Sequence, residues 1–393
     1  MALALLAAEW ATLRDGEVIA VTVDHGLRHG SADEAAQVSD WLAHHGIAHH
    51  TLTWTESPGP GPSGMGASEA QARGARYAML ERFCHACGIL HLLVGHHRSD
   101  QYETQALRRE RSSGVIGLAG MPAVRELRHA RILRPLLDVP RERIAETLVA
   151  RGQRWIEDPS NLDARFARAR LRADGVDAVD AEAGHVRRQL ERDLARIAAR
   201  AVVLHPAGVA RLDLIAFRTA RVDARRGLLV NLLTCLGGSI YPPRGARLAR
   251  LADAVADGLN AGGRTLGGCT IQPGARGCVV IGRELAGIAS PREVLRGSED
   301  VADWDGRFQV SGLRAGDVLG ATGQFRALGM LEHPAAGPIE AVPHAVRMVM
   351  PAVRRDGCYL PCALRSTGNP NDHAPVARFS ADFPLAGAIF GTI

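Results

Sequence analysis

The 393-residue chain contains no lysine; all 47 of its basic residues are arginine. No side-chain amine is therefore available for phosphate binding or Schiff-base chemistry, and any polyanion has to be held by guanidinium groups and backbone N–H groups. Also missing is any uninterrupted apolar run near the ~20 residues of a membrane helix, which excludes a spanning helix. No secretory leader is expected at the start either. The apolar start from Met1 to Ala8 has no basic residue ahead of it and is broken by Glu9 and Trp10, so a cytoplasmic location is expected. Cysteine is sparse, seven residues in all, and in a long chain without a leader these read as reduced thiols. Cys84 and Cys87 form a lone C-x-x-C, and Cys358 and Cys362 a C-x-x-x-C. A four-ligand metal site would require the two pairs to meet. The simpler reading is that Cys84 and Cys87 extend the helical apolar stripe of Met79, Leu80 and Phe83.

What is present is basic charge in one place. The net charge is only +5, yet residues 108 to 172 carry 15 Arg against eight Asp and Glu. Such a concentration suits a nucleic-acid partner, although solvated helix faces also produce Arg runs. At this length two or three structural units are expected, with boundaries near residues 180 and 290. They are residues 1–180 as an α/β unit, 181–290 as a helical or mixed unit, and 291–393 as a small β-containing unit.

The first hundred residues alternate strand-like runs with amphipathic helices, the pattern of a parallel α/β sheet. Glu17 to Val23 reads as a strand, and Ser31 with Glu34 as a capping box opening a helix that buries Ala35, Val38 and Leu42 and ends at Gly46. Ile47 to Trp54 reads as a second strand, and the Pro/Gly-rich stretch from Ser57 to Gly66 as a loop. Ser68 with Gln71 opens another helix, closed by Gly88. Ile89 to Val94 is a strand expected to be covered by helices on both faces. Further helices are expected over Asp100 to Arg111, Pro140 to Arg151, Ala183 to Val203, Val222 to Leu236 and Ala246 to Leu259, with β-like pieces around Cys269 and Val279.

In an open parallel sheet the ligand lies outside the carboxyl ends of the strands, so the residues just after each strand are informative. Asp24-His25-Gly26-Leu27-Arg28 follows the first strand, and His96-His97-Arg98-Ser99-Asp100-Gln101-Tyr102-Glu103-Thr104 follows Ile89 to Val94. Helical spacing sets Asp100 and Glu103 on one face of a first turn with His96 just ahead. Two carboxylates beside an imidazole suit Mg2+ coordination or deprotonation of an incoming amine; they also suit plain complementation of a helix dipole.

The order and spacing of several motifs resemble the lysidine synthetase family across most of the chain. Asp24 to Arg28 is similar to its Val-Asn/Asp-His-Gly-Leu-Arg turn. Glu69, Ala72, Arg73, Arg76 and Tyr77 match its Glu-x-x-Ala-Arg-x-x-Arg-Tyr helix, and His96 to Thr104 its His-His-x-Asp-Asp-Gln-x-Glu-Thr signature. Gly114 with Gly117 to Met121, Arg134 to Leu137, Trp155 with Glu157 to Asn161, and Phe166 to Arg172 follow in the family's order. Ser99 departs from the first of the two aspartates, and Ala169 from an asparagine. The family opens with a strand and a Ser-Gly-Gly-x-Asp-Ser loop; Met1 to Ala11 resembles the helix after that loop. The coding region is accordingly expected to begin upstream of Met1.

The resemblance implies a parallel-sheet PP-loop domain, of the adenine nucleotide alpha hydrolase-like kind, followed by a helical linker and smaller C-terminal α+β regions that bind tRNA. On that resemblance the unit of residues 1–180 is catalytic and that of residues 181–290 binds substrate. It implies an ATP-dependent ligase, with Mg2+, that adenylates the wobble cytidine of a CAU anticodon in tRNA(Ile) and joins free lysine to it, releasing AMP and pyrophosphate. His96, Asp100 and Glu103 would be catalytic, with Asp100 and Glu103 also holding Mg2+. Asp24 and His25 would lie near the adenosine, and Arg76, Arg134, Arg168 and Arg172 would contact phosphates. A homodimer is left open. The alternatives are another PP-loop tRNA-modifying enzyme such as a thiolase, supported by the Cys84/Cys87 pair, and a non-catalytic tRNA-binding remnant.

Overall fold

The computed structural model describes residues 1–24, 26, 30–54, 69–110, 115–157, 183–238, 243, 245–259, 262–295, 301–327, 344–364, 375–380 and 385. They form two compact units, one covering residues 1–113 and 117–184 and the other residues 114–116 and 185–393.

In the first unit the elements alternate as the sequence pattern demands: α1 (Ala2–Thr12), β1 (Ile19–Asp24), α2 (Ser31–His44), β2 (Ala48–Thr53), α3 (Glu69–Ala86), β3 (His91–Leu93), α4 (Arg98–Glu110), α5 (Val115–Leu118), β4 (Val124–Glu126), β5 (Arg131–Leu133) and α6 (Arg141–Ala150). β1 and β2 are parallel, in register from Ile19 opposite Ala48 to Asp24 opposite Thr53. β3 and β5 are parallel too, His91 facing Arg131, and β4 adds to β5 antiparallel. The described strands thus form two sets, β1-β2 and β3-β5-β4, and α3 packs against a strand of each. One small core joins Ala2 and Leu5 of α1, Leu42 of α2, Ile47 and Leu148 of α6.

Two local expectations are corrected. α2 is not capped by Ser31: Gly30, in the left-handed region at φ 86°, is the N-cap, with no side-chain cap bond. Ser31 Oγ instead donates to Asp24 Oδ1 at 2.7 Å. Ser31 is thus the first residue inside the helix and not its cap, one position too far along for its hydroxyl to accept from the N–H groups that a cap serves. Nor is β3 covered on both faces among the described residues, where Leu90 and Leu93 are exposed at 53% and 38%. Leu93 lies in β3 and Leu90 just before it, where the described contacts place a helix, α3, against β3. The Ser57 to Gly66 loop and the Ser68 cap lie outside the described residues.

The second unit opens with α7 (Ala183–Ala201), followed by β6 (Val202–His205), β7 (Val209–Asp213), α8 (Leu214–Thr219), α9 (Val222–Gly237), α10 (Gly245–Asp257), β8 (Arg264–Leu266), β9 (Cys269–Pro273) and β10 (Cys278–Arg283). The strands make one antiparallel sheet in the order β6-β7-β10-β9-β8. α9 carries Leu228, Leu229, Leu232, Leu233 and Leu236, all fully buried, so it is apolar nearly all round and lies at the centre. α10 buries Leu248, Leu251, Ala252 and Val255, the one-sided spacing of a helix lying on that core. Next come β11 (Arg292–Glu293), β12 (Val301–Trp304), β13 (Phe308–Ser311), β14 (Val318–Ala321), α11 (Thr322–Ala327), α12 (His344–Met348), β15 (Pro351–Arg355), β16 (Cys358–Pro361), β17 (Ala363–Leu364) and β18 (Val376–Phe379). They build two four-stranded sheets, β11-β14-β15-β16 and β12-β13-β18-β17, around a core that includes Trp304, Phe308, Val310, Leu319, Val353 and Ala377.

The two cores interlock. Ala207 and Val209 belong to the second core, while Phe379 and Leu385 pack against the first. Between them lies a buried ion triad. Asp305 pairs with Arg283 at 2.8 Å and with the fully buried Arg307 at 2.7 Å. Arg283 Nη1 also donates to Gly237 O at 2.6 Å, and Arg307 Nη2 to Val349 O at 3.1 Å. Gly238 closes against this node: at φ 60° a Cβ there would sit 2.2 Å from Asp305 O, so only glycine fits.

Candidate active site at the start of α4

β3 runs out at Leu93 and α4 begins at Arg98, so His96 and His97 occupy the strand-to-helix corner. The helix start is built from its own side chain. His97 N donates to Asp100 Oδ2 at 2.9 Å, the reach-back half of a capping box, and His97 Nδ1 lies 3.6 Å from the same oxygen. Asp100 is half-buried and Glu103, one turn on, is only 1% exposed. Thr104 and Gln105 follow it into the interior at 8% and 4%. Three consecutive buried polar residues are rare in a helix, because each carries a desolvation cost.

α4 is fastened to α5 and the segment after it by two side chains at i and i+7, which share a face. Gln101 meets Met121 as a strand neighbour would: Oε1 accepts from Met121 N at 2.6 Å and Nε2 donates to Met121 O at 2.9 Å. Arg108 Nη1 donates to Gly117 O at 2.8 Å and to Gly120 O at 2.7 Å. From there the connection runs to β5. Arg134 N donates to Ala123 O at 2.9 Å, its Nη1 to Pro122 O at 2.8 Å, and its Nε to His96 Nδ1 at 3.3 Å. Arg134 is 5% exposed. Burial holds its guanidinium below the usual arginine range, with the Tyr77 hydroxyl offsetting part of that effect and Arg73 and Arg125 adding to it. Arg73 in turn lies over the Tyr77 ring at 5.3 Å.

The structure therefore brings His96 and Arg134 together, with Asp100 and Glu103 on the adjoining helix turn. Asp24, at the end of β1, is bound into its own loop, where its Oδ1 accepts from Gly26 N at 2.9 Å and from Ser31 Oγ. Arg76 is exposed on α3. His25, Arg168, Arg172 and Ala169 lie outside the described residues. Much of the basic segment is engaged internally: besides Arg108 and Arg134, Arg131 pairs with Glu126, Arg141 with Glu157 and Arg151 with Glu9. Glu157 also accepts from Trp155 Nε1, and the Trp155 and Arg141 bonds hold its carboxyl below the usual range. Sequence reasoning passed over Gln101 and Arg108, although their seven-residue spacing on a helix was a readable signal.

No group of three His, Cys, Asp or Glu in a metal-holding arrangement occurs among the described residues. Cys84 is buried, its thiol pushed up by desolvation, whereas Cys87 is exposed; Cys362 is buried and Cys358 exposed. No helix of the described residues is long and apolar enough to cross a membrane.

A model of the PP-loop domain matches residues 1–178. The chain is 34% identical over 330 residues to the tRNA(Ile)-lysidine synthase of Ruegeria pomeroyi, covering 78% of this chain and 72% of that protein. It is 36% identical over 285 residues to the tRNA(Ile)-lysidine synthase of Methylobacterium nodulans, covering 65% of this chain and 79% of that one. A solved structure, the U34-tRNA thiolase NcsA of Methanococcus maripaludis, aligns with a TM-score of 0.39 at 14% identity over 49% of this chain and 66% of that chain. That likeness is too low to favour thiolation.

Proposed function

This chain belongs to the tRNA(Ile)-lysidine synthase family, and from that premise we propose that it ligates free lysine to the wobble cytidine of the CAU anticodon of tRNA(Ile) at the expense of ATP. The observation that carries the reading is identity of 34% and 36% to two synthases of which the chain spans 72% and 79%. In the proposed sequence the ring carbonyl oxygen of the cytidine attacks the α-phosphorus of ATP and pyrophosphate leaves. The lysine amine then attacks the activated ring carbon, giving up a proton, and AMP leaves with the oxygen.

His96, Asp100 and Glu103 are the residues proposed for that chemistry. His96 orients nucleotide or substrate, and a carboxylate of the α4 turn takes the amine proton. Asp24 and His25 are proposed near the adenosine, and Arg76, Arg168 and Arg172 at phosphates, where the guanidinium fork matches the oxygens. Mg2+ would supply charge neutralisation at the phosphates of ATP. Asp100 and Glu103 offer it hard carboxylate oxygens, and an ion of this kind takes its remaining ligands from water and phosphate, so two protein ligands suffice. The buried thiol of Cys84 is a poor thiolate and lends a thiolase no support.

Incubation with labelled ATP, lysine and tRNA distinguishes the alternatives, since the product is lysidine, a thiolated base, or bound tRNA without turnover. Asp100→Ala and Glu103→Gln are expected to lower lysidine formation at least about 100-fold while tRNA binding persists. Unchanged turnover in both variants removes the catalytic role.

A further inference from the structure

His96 is met in the corner by a group that can only donate. Arginine carries five N–H donors and no acceptor, and it stays protonated in proteins. Arg134 Nε points at His96 Nδ1 at 3.3 Å, so that ring nitrogen presents its lone pair. In the neutral ring the proton then sits on Nε2. Arg134 is itself held so that it cannot swing away: its own N–H and its Nη1 bond Ala123 O and Pro122 O, and its side chain is buried beside Tyr77. The Ala123 end continues through Met121 and Gly120 to Gln101 and Arg108, so α4 and β5 together fix the direction from which the histidine is addressed.

We infer that Arg134 is a positioning residue that locks His96 in its Nε2–H tautomer, making His96 a hydrogen-bond donor in the reaction and not its base. This inference rests on the proposed ligation for its chemical meaning. A base at this corner would need the lone pair on Nε2 and the proton on Nδ1, directly facing the guanidinium N–H; that arrangement sets two donors against each other. As a donor, His96 can bond an oxygen that gains negative charge, such as the carbonyl oxygen as AMP departs or a phosphate oxygen of ATP. Removal of the amine proton then falls to the Asp100/Glu103 turn. The role differs from the phosphate contact implied by the family resemblance, which a side chain 5% exposed with Nε and Nη1 already engaged is badly placed to make.

The test is made on the whole chain labelled with 15N-histidine, reading long-range proton–nitrogen correlations, with the His96 signals identified by their absence in His96→Asn. The expected spectrum has a pyridine-type Nδ1 and a pyrrole-type Nε2 for His96. Arg134→Met is expected to mix the two tautomers and to lower kcat about 100-fold with little change in KM for ATP. Arg134→Lys, which keeps a pure donor, is expected to restore the wild-type pattern and part of kcat. A protonated Nδ1 in the wild-type chain overturns the inference, as does an Arg134→Met variant with an unaltered His96 spectrum or with its loss confined to KM. The wild-type spectrum decides even if the Met variant does not fold. Absence of lysidine in the wild-type assay would instead remove the ligation reading and leave the tautomer measurement standing on its own.

Discussion

At the scale of single residues, the site depends on positions whose role comes from what surrounds them. Gly120 sits at φ 76°, and a Cβ there would lie 2.7 Å from Gln101 Oε1, the atom that accepts from Met121 N. Gly120→Ala is therefore expected to destabilise the first unit by roughly 1–3 kcal/mol, read by urea denaturation. In a Gln101→Ala background the steric part should vanish and leave the smaller backbone part; equal losses in both backgrounds would mean that the amide clamp is not tight. His96, Asp100 and Glu103 were legible in the sequence because they follow a strand at helical spacing. The burial of Arg134 was not, since one arginine in a run of 15 carries no mark of whether it faces water or the interior. Ser31 misled for another reason: a Ser-x-x-Glu string reads as a cap, but the chain enters the helix one residue earlier, at Gly30, and the Ser31 hydroxyl donates to Asp24 seven residues upstream.

At the scale of elements, most helices were legible from their period, α9 and α10 closely, and the capping of α8 by Asp213, which accepts from Ala216 N at 2.8 Å, is the usual local kind. Pairing was less so. Nothing in Val124–Glu126 marks it as antiparallel to its neighbour, because a three-residue strand has no pattern long enough to declare direction. The pairing of Arg355 on β15 with Asp317 just before β14 was equally hidden, and it is buried on both sides, bonding at 2.7 and 2.9 Å. Burial alone would raise the Asp317 pKa, but the Arg355 hydrogen bond, the Arg314 N–H and the two positive charges outweigh it and hold the carboxyl below the usual range. A carboxyl lowered on folding adds stability above its unfolded pKa and loses it as pH falls through the folded value. The Asp317 pair therefore contributes stability to the second unit that is present above the ordinary aspartate range and is lost as the pH falls below it. Arg355→Met, which strands a buried charge, is expected to cost about 3–5 kcal/mol and to move the acid transition to higher pH, as followed by circular dichroism; an unmoved transition would show that another group controls acid unfolding.

At the scale of the whole molecule, composition anticipated an α/β first part and a β-containing end, because alternating periodicities are a property of the entire chain. It also located the excess charge along the sequence without saying how it is spent; in the structure Arg108 and Arg134 bond main-chain carbonyls, while Arg131, Arg141 and Arg151 pair with carboxylates nearer the surface. In the second unit the same economy of arginine has a larger effect. Arg283 holds the end of α9 through Gly237 O, Arg307 holds Val349 O, and both meet on Asp305, so each core supplies ligands to one charged knot. A polypeptide tied in this way should melt as a single cooperative body even though it contains three sheets. Calorimetry should give one transition for this unit, and a fragment of residues 183–290, deprived of Asp305, Arg307 and Phe379, should populate only a loosened, protease-sensitive state. Two separate transitions, or a rigid fragment with dispersed amide signals, would mean that the halves are mechanically independent and that the knot merely joins finished parts.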